Sequence, residues 1–348
     1  METKVVRIAE ISATSKHPIF TSVYHLINED MLKQCHKELD GNKAVGIDKV
    51  TKDEYGKNLD RNIKELVQRL KNKSFKPLPS LRVYIPKGNG KKRPLGIASY
   101  EDKIVQMAVK KILGAIYEPR FLNCMYGFRS NRGCHEAIKE VYQRISYGKI
   151  SYIVDADIKG FFDHIDHDWM MKFLEWNIQD KNLLWLIRKY LKAGIMEQGK
   201  FEPTEEGSAQ GSVMSPMLAN IYMHHVLTLW FKLVVQREMQ GECFLVNFAD
   251  DFVAGFQYKS EAERYYKELK ERMEKFGLEL ESSKSRLIEF GRFAEQNRRA
   301  RGECKPETFD FLGFTFYCSK TRKGGFVPKV QTSRKKFEPV SYTHLTLP

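Results

Sequence analysis

The chain has 348 residues, 42% hydrophobic and 12% aromatic, which is enough for two or three domains around a sizeable core. Its 58 Lys and Arg exceed its 44 Asp and Glu by 14, a balance that favours a polyanionic partner, nucleic acid ahead of an anionic membrane surface. With no run of 18 apolar residues and no apolar leader core, neither a membrane-spanning helix nor a signal peptide is expected; six cysteines without a C-x-x-C pair read as reduced thiols of a cytosol-like compartment.

Residues 1–75 are read as mostly helical, with apolar residues at three- and four-residue spacing over 31–39 and 55–70. Between them, Asn42-Lys-Ala-Val-Gly-Ile-Asp48 is a small-residue loop that fits a solvated connector and a backbone approach to phosphate equally well. Pro77, Pro79 and Pro86 argue against long helices. Residues 81–85 alternate like a strand, and Lys87, Lys91, Lys92 and Arg93 then surround a glycine turn. Such a basic hairpin clamps a triphosphate or is simply a solvated charged loop. Residues 100–118 form an expected amphipathic helix with Ile104, Ala108, Ile112 and Ile116 on one face. Tyr126-Gly-Phe-Arg129-Ser-Asn-Arg132 interleaves aromatic and basic residues, suiting a nucleic-acid strand, although both arginines fit structural ion pairs equally.

Residues 151–291 carry the most informative pattern. Residues 151–157 are a strand on which Asp155 and Asp157 face the same way. Phe161-Phe162-Asp163 follows, and Asp166 is placed to cap a helix over 167–176. Further helices are expected over 183–192 and, after Gly207-Ser-Ala-Gln210-Gly211, over 216–235. Two apolar strand-forming runs, 243–248 and 252–257, flank Ala249-Asp250-Asp251 and read as a β-hairpin with adjacent carboxylates at its tip. A helix over 260–276 and a strand over 285–290 complete a β-α-β-β-α-β order, an α+β class with a split βαβ antiparallel sheet. In that arrangement Asp157 can join Asp250 and Asp251 at one sheet edge, where a hard divalent cation such as Mg²⁺ would relieve their repulsion. Residues 284–339 hold 14 Lys and Arg against 6 Asp and Glu, with a strand over 309–316 and a basic turn over 320–325.

These motifs resemble, in order and over about residues 5–339, the reverse transcriptase of group II intron-encoded proteins. The resemblance is carried by Lys43-Ala-Val-Gly-Ile-Asp48; Tyr84-Ile-Pro-Lys87 with Arg93-Pro-Leu-Gly-Ile97; Tyr126-Gly-Phe-Arg129; Asp155-Ala-Asp157-Ile-Lys-Gly-Phe-Phe-Asp163; Gln210-Gly-Ser-Val-Met-Ser-Pro-Met-Leu-Ala-Asn220; Phe248-Ala-Asp-Asp251; Gly277-Leu-Glu-Leu with Lys284; and Phe311-Leu-Gly313. It implies a right-hand polymerase: a helical N-terminal extension over 1–75, fingers over 76–150, a palm with inserted helices over 151–318, and the basic start of a thumb over 319–339. It implies two-metal nucleotidyl transfer with Asp157, Asp250 and Asp251 holding two Mg²⁺ ions. Lys87 and Arg93 are implied to hold the incoming dNTP triphosphate, and Phe162 to stack under the sugar and exclude a 2′-hydroxyl. Gln210 is implied to contact the nucleotide or template, and Lys284 to protonate or neutralise pyrophosphate. Asp155 and Asp163 are read as structural, Phe161 as core.

The partners implied are an intron RNA template and a DNA primer or target, without a membrane, in a bacterial cytoplasm and at the nucleoid during retrohoming. Departures from the family pattern are Phe248 for Tyr, Asn247 for Arg and Ser208-Ala209 for Thr-Pro, expected to tune rate and fidelity. Residues 340–348 resemble a translated sequencing adapter, so that segment is expected to be non-native and the natural protein longer. Two other readings share these residues: a related enzyme of a defence, CRISPR or diversity-generating system, and an RNA-binding splicing factor with a vestigial polymerase. Three intact acidic residues argue against the latter.

Overall fold

The structure, a computed structural model, describes residues 2–86 and 92–333. The helices are α1 (Glu2–Thr14), α2 (Glu29–Glu38), α3 (Lys52–Gly56), α4 (Leu59–Lys71), α5 (Tyr100–Tyr117), α6 (Cys134–Tyr147), α7 (His167–Glu175), α8 (Lys181–Leu191), α9 (Ser215–Met223), α10 (Gln236–Glu238), α11 (Lys259–Lys275) and α12 (Ala294–Ala300). The strands are β1 (Ser80–Pro86), β2 (Lys92–Ile97), β3 (Tyr152–Asp157), β4 (Ile195–Glu197), β5 (Lys200–Glu202), β6 (Cys243–Phe248), β7 (Asp251–Phe256), β8 (Arg286–Glu289), β9 (Phe309–Phe311), β10 (Phe314–Lys320) and β11 (Phe326–Thr332). The class is α+β with mainly antiparallel sheets, and the chain divides into two compact units.

The first unit comprises Met1–Phe121 and Gly160–Tyr222. Its central helix is α5. Ile104, Val105, Ala108, Val109, Ile112, Leu113 and Ile116 are all fully buried, so the helix is enclosed on more than the single face that its periodicity marks. α1 and α2 pack against it. The continuous helix expected over 55–70 is two helices, because the chain breaks between Gly56 and Leu59. Thr51 and Glu54 close a capping box at the start of α3. The sheet of this unit runs β2-β1-β4-β5, with β1 and β2 antiparallel and β4 parallel to β1. β4 and β5, of three residues each, fall below the length that periodicity can detect.

Asp180 ties the N-terminal segment of this unit to α8. Its Oδ2 accepts from the backbone N–H of Val23 and Tyr24, both at 2.7 Å, and its Oδ1 accepts from Asn182 and Leu183 at 3.0 and 3.3 Å. One buried carboxylate therefore satisfies the orphan donors of a helix start and two amides of a distant loop. The motif loop 43–48 is exposed at Lys43 and Ala44 and buried at Gly46. A Cβ on Gly46 would lie 2.6 Å from the Ser99 Cα, so only glycine allows the loop to meet the backbone at the start of α5.

The second unit comprises Leu122–Lys159 and Met223–Pro348. Its main sheet has the order β6-β7-β3-β8 and is antiparallel throughout, in keeping with the α+β class expected from the sequence. α11 covers one face, burying Ala262, Tyr265, Leu269 and Met273 as its spacing predicts. The other face carries Ile153, Val246, Val253 and Ile288 into a core with α6 and with Phe309, Phe311 and Phe316. Those phenylalanines come from a second sheet, β11-β10-β9. The single strand expected over 309–316 is in fact a hairpin: Leu312 and Gly313 adopt φ 51° and 81° and reverse the chain.

The helix expected over 216–235 is α9 followed by two π-helical turns, His224–Thr228 and Phe231–Val235. A π turn leaves carbonyls without their usual partners, and Arg272 donates to the carbonyls of His225 and Val226 while its guanidinium lies over the Trp230 and Phe276 rings. The whole run Ser215–Glu238 is long and apolar enough to cross a membrane, but 67% of its apolar window is buried within the protein, as in a core helix.

Replacing Asp180 with Ala should lower stability by about 2–4 kcal/mol, since four backbone donors lose a charged acceptor together; urea denaturation of the two proteins, with the midpoint read by circular dichroism, checks this.

Candidate active site

The candidate site is built on the β3 and β6–β7 strand ends of the second unit. Asp157 ends β3, Asp251 begins β7, and the register places them directly opposite each other. Cross-strand neighbours have Cβ atoms about 5 Å apart, where like charges destabilise the sheet. Asp251 is half-buried, and its carboxyl is pushed up to about 8, first by burial and then by the charges of Asp155, Asp157 and Asp250, against a 3.4 Å hydrogen bond from the Leu312 N–H. Asp155, two residues before Asp157 on the same face, is pushed up to about 7 by burial, with Arg286 opposing the shift. The acidic file is therefore longer than the three residues singled out from the sequence. Asp155 was visible there through the strand alternation, but its burial depends on the β9–β10 hairpin that covers this face.

The tip between the strands is held by backbone contacts. Ala249 adopts φ 57°, and the Asn247 amide donates to the Ala249 carbonyl at 2.8 Å. Asn247 is fully buried and bridges to the 124–126 segment: its N–H donates to the Cys124 carbonyl and its carbonyl accepts from the Tyr126 N–H. Gly127 follows, and a Cβ there would sit 2.5 Å from the Ala249 nitrogen. The motif Tyr126-Gly-Phe-Arg129 thus buttresses the acidic tip. Arg129 donates to the carbonyls of Leu122 and Met125, and Arg132 to the Asn123 carbonyl and side chain. Both arginines hold this loop through its own carbonyls.

Lys284 makes an ion pair with the Asp157 Oδ2. That hydrogen bond is the main cause of a raised Lys284 amine. The pair is reinforced by the backbone, since the Glu281 N–H donates to the Asp157 carbonyl at 2.8 Å and the Ser285 hydroxyl accepts from the Asp157 N–H at 3.3 Å.

Four other predicted site residues belong to the first unit. Arg93 Nε donates to the Gln210 Oε1 at 2.9 Å, and the Gly96 N–H donates to the Gln210 carbonyl at 2.6 Å. The 207–212 loop can cross β2 this closely because Gly211 takes φ 105° and Gly96 carries no side chain. Gln106, buried on α5, anchors the loop by accepting from the Ser212 hydroxyl and the Val213 N–H. Phe162 is buried in the 3₁₀ turn Phe161–Asp163, beside Phe161 at 5.4 Å between ring centroids, and its carbonyl accepts from the Ser208 N–H. A cleft of about 240 Å³ is lined by Arg82, Gly96, Phe162, Ser208 and Gln210. Lys87 lies outside the described residues.

Residues 85–316 match the family model described as "Reverse transcriptase (RNA-dependent DNA polymerase)". The chain belongs to the reverse transcriptase family. It is 37% identical over 236 residues to the group II intron-encoded protein LtrA of Lactococcus lactis subsp. cremoris, covering 67% of this chain and 39% of that protein. An uncharacterised 91 kDa protein in the cob intron of Schizosaccharomyces pombe is 37% identical over 204 residues, 58% of this chain and 25% of that one. Nuclear intron maturase 4 of Arabidopsis thaliana is 26% identical over 152 residues, 43% of this chain and 19% of that one. The chain spans about two-fifths of the length of LtrA.

Reverse transcriptases generally use divalent metals such as Mg²⁺. The donor set fits such an ion: the carboxylates are hard oxygen ligands, and burial with mutual repulsion leaves them short of positive charge. Among the described residues no three His, Cys, Asp or Glu side chains are grouped so as to hold a metal ion, so the fit rests on the chemistry of the facing Asp157 and Asp251 carboxylates.

The folded protein holds the Asp251 proton to a higher pH than the unfolded chain does, so the metal-free protein should lose stability as pH rises from about 4 to about 8. Asp251→Asn should reduce that loss by more than about 1 kcal/mol, as read from urea midpoints in EDTA across the same window; equal slopes for both proteins would contradict the assignment.

Proposed function

We propose that the chain carries the polymerase portion of a group II intron-type reverse transcriptase, adding dNTPs to a primer 3′-hydroxyl on an RNA template. The observation that carries this reading is the facing pair Asp157 and Asp251, with Asp250 at the adjoining tip, in a chain of this family. These three carboxylates would hold two Mg²⁺ ions, which when bound lower the pKa of the attacking hydroxyl and neutralise charge on the leaving pyrophosphate.

In this reading the four-stranded sheet of the second unit is the palm, 76–150 are the fingers and 319–339 begin the thumb. Arg93, joined by Lys87, holds the triphosphate as a guanidinium oriented by Gln210, so its fork meets phosphate oxygens without first having to be ordered. Phe162, buried and fixed beside Phe161, is a rigid wall that would collide with a ribose 2′-hydroxyl. Substrate selection by such a wall is steric. Gln210 contacts the nucleotide or template. The template proposed is intron RNA, the primer a DNA target, and the setting a bacterial cytoplasm with access to the nucleoid, in support of intron retrohoming.

The test is primer extension on an RNA template with each dNTP. Asp250→Asn and Asp251→Asn should each lower the rate by at least about 100-fold, while RNA binding in a filter assay is retained. Extension at near wild-type rate by either variant overturns the reading and leaves the RNA-binding splicing role. Phe162→Ala should raise ribonucleotide use relative to deoxyribonucleotide by about 10- to 100-fold, the range of one steric contact.

A further inference from the structure

The Lys284–Asp157 ion pair has a property that a structural salt bridge lacks: its two halves differ in exposure. The Lys284 side chain is 65% exposed and that of Asp157 26%. The ammonium can return to water at little cost, whereas Asp157 remains opposite Asp251 in the sheet and needs a positive neighbour. The lysine is also tethered for return. The Lys284 and Ser285 N–H groups donate to the Glu281 carbonyl at 2.9 and 2.8 Å, and the Glu281 N–H is bonded to the Asp157 carbonyl. Glu281, whose carboxylate is held by the Ser283 hydroxyl and N–H, offers an acidic neighbour on the same turn.

We propose that Lys284 is a displaceable counter-ion: in the metal-free protein its ammonium neutralises Asp157, and a divalent cation enters the acidic site by displacing it. The inference rests on the assignment of Asp157 and Asp251 as metal ligands. A half-exposed ion pair is weak, whereas a divalent ion shared by two opposed carboxylates satisfies both. The exchange needs no change of fold, because the turn is bonded to the end of β3 through its backbone and only the lysine side chain moves. The pair therefore guards the site twice. It removes the like-charge repulsion that would otherwise splay the strand ends, and it raises the metal concentration needed to fill the site.

The experiment uses the full chain without nucleic acid and Mg²⁺ alone as the probe. A short pulse of an amine-acetylating reagent, quantified by mass spectrometry, measures the reactivity of Lys284 in EDTA and at saturating Mg²⁺. Calorimetry follows Mg²⁺ binding in parallel. Lys284 labelling should rise about fivefold on Mg²⁺ addition, the equivalent of a ~1 kcal/mol exposed pair, while labelling of Lys323 on the β10–β11 turn stays constant. Asp157→Asn should label at the higher rate in both conditions. Lys284→Met should bind Mg²⁺ about three- to fivefold more tightly than wild type. Lys284 labelling that stays constant while calorimetry records Mg²⁺ binding overturns the displacement and leaves the metal assignment intact. Mg²⁺ binding that is absent from wild type, or unchanged in Asp251→Asn, overturns the metal assignment and the displacement with it.

Discussion

The second unit is organised around an electrostatic conflict: two carboxylates in register on adjacent antiparallel strands, both half-buried. Sheet pairing fixes the distance between Asp157 and Asp251, so neither can relax away without giving up ladder hydrogen bonds on both sides of β3. Burial then removes the water that would screen them. The charge deficit must be met locally, by a proton, by an ammonium or by a metal ion. The Lys284 ammonium pairs with Asp157, while burial and the neighbouring carboxylates raise the Asp251 carboxyl.

Rigidity at that tip comes from outside the sheet. The 124–126 segment adds a short parallel bridge to β6, and Gly127 lets its backbone press against Ala249, whose left-handed conformation would otherwise be costly for a residue with a Cβ. The first unit uses the same device. Gly96 and Gly211 let the Gln210 loop lie on β2, and Gly46 lets the 43–48 loop lie on the start of α5. In each case a motif glycine marks a close meeting of two backbones.

Much of this was legible in the sequence, for identifiable reasons. The β6–β7 hairpin declared itself because two β-forming runs flank a short break, and α11 because its apolar residues keep helical spacing over four turns. The α+β class followed from the order of the elements. Other features were hidden because they depend on what covers an element. The aromatic run 309–316 alternates without interruption, and its reversal at Leu312 needs a left-handed non-glycine residue that no propensity predicts. β4 and β5 exist because β1 offers an edge to pair with. Arg129 and Arg132 were ambiguous, since a sequence does not reveal which carbonyls will lack partners. In the candidate site the acids were legible as a set. The burial of Asp155 and the pairing of Lys284 were not, because both depend on tertiary neighbours.

Net charge also needs reinterpretation once partners are known. The basic excess of residues 284–339 invites the view that the whole segment grips phosphate. Within it, Arg298 pairs with Glu303 and Glu307, Arg299 with Glu295, Arg301 with Glu289 and Glu303, and Lys320 with Glu295. These cations hold α12 and its flanks together and are already neutralised. Arg286 is likewise engaged, donating to the Thr308 carbonyl. Among the described residues of this segment Arg292, Lys305, Arg322, Lys323 and Lys329 have no carboxylate within ion-pair distance, and the last three lie on the β10–β11 hairpin. Counterion release on nucleic-acid binding counts only the charges that meet phosphate. The described part of this segment therefore leaves fewer cations without a carboxylate partner than its charge count suggests.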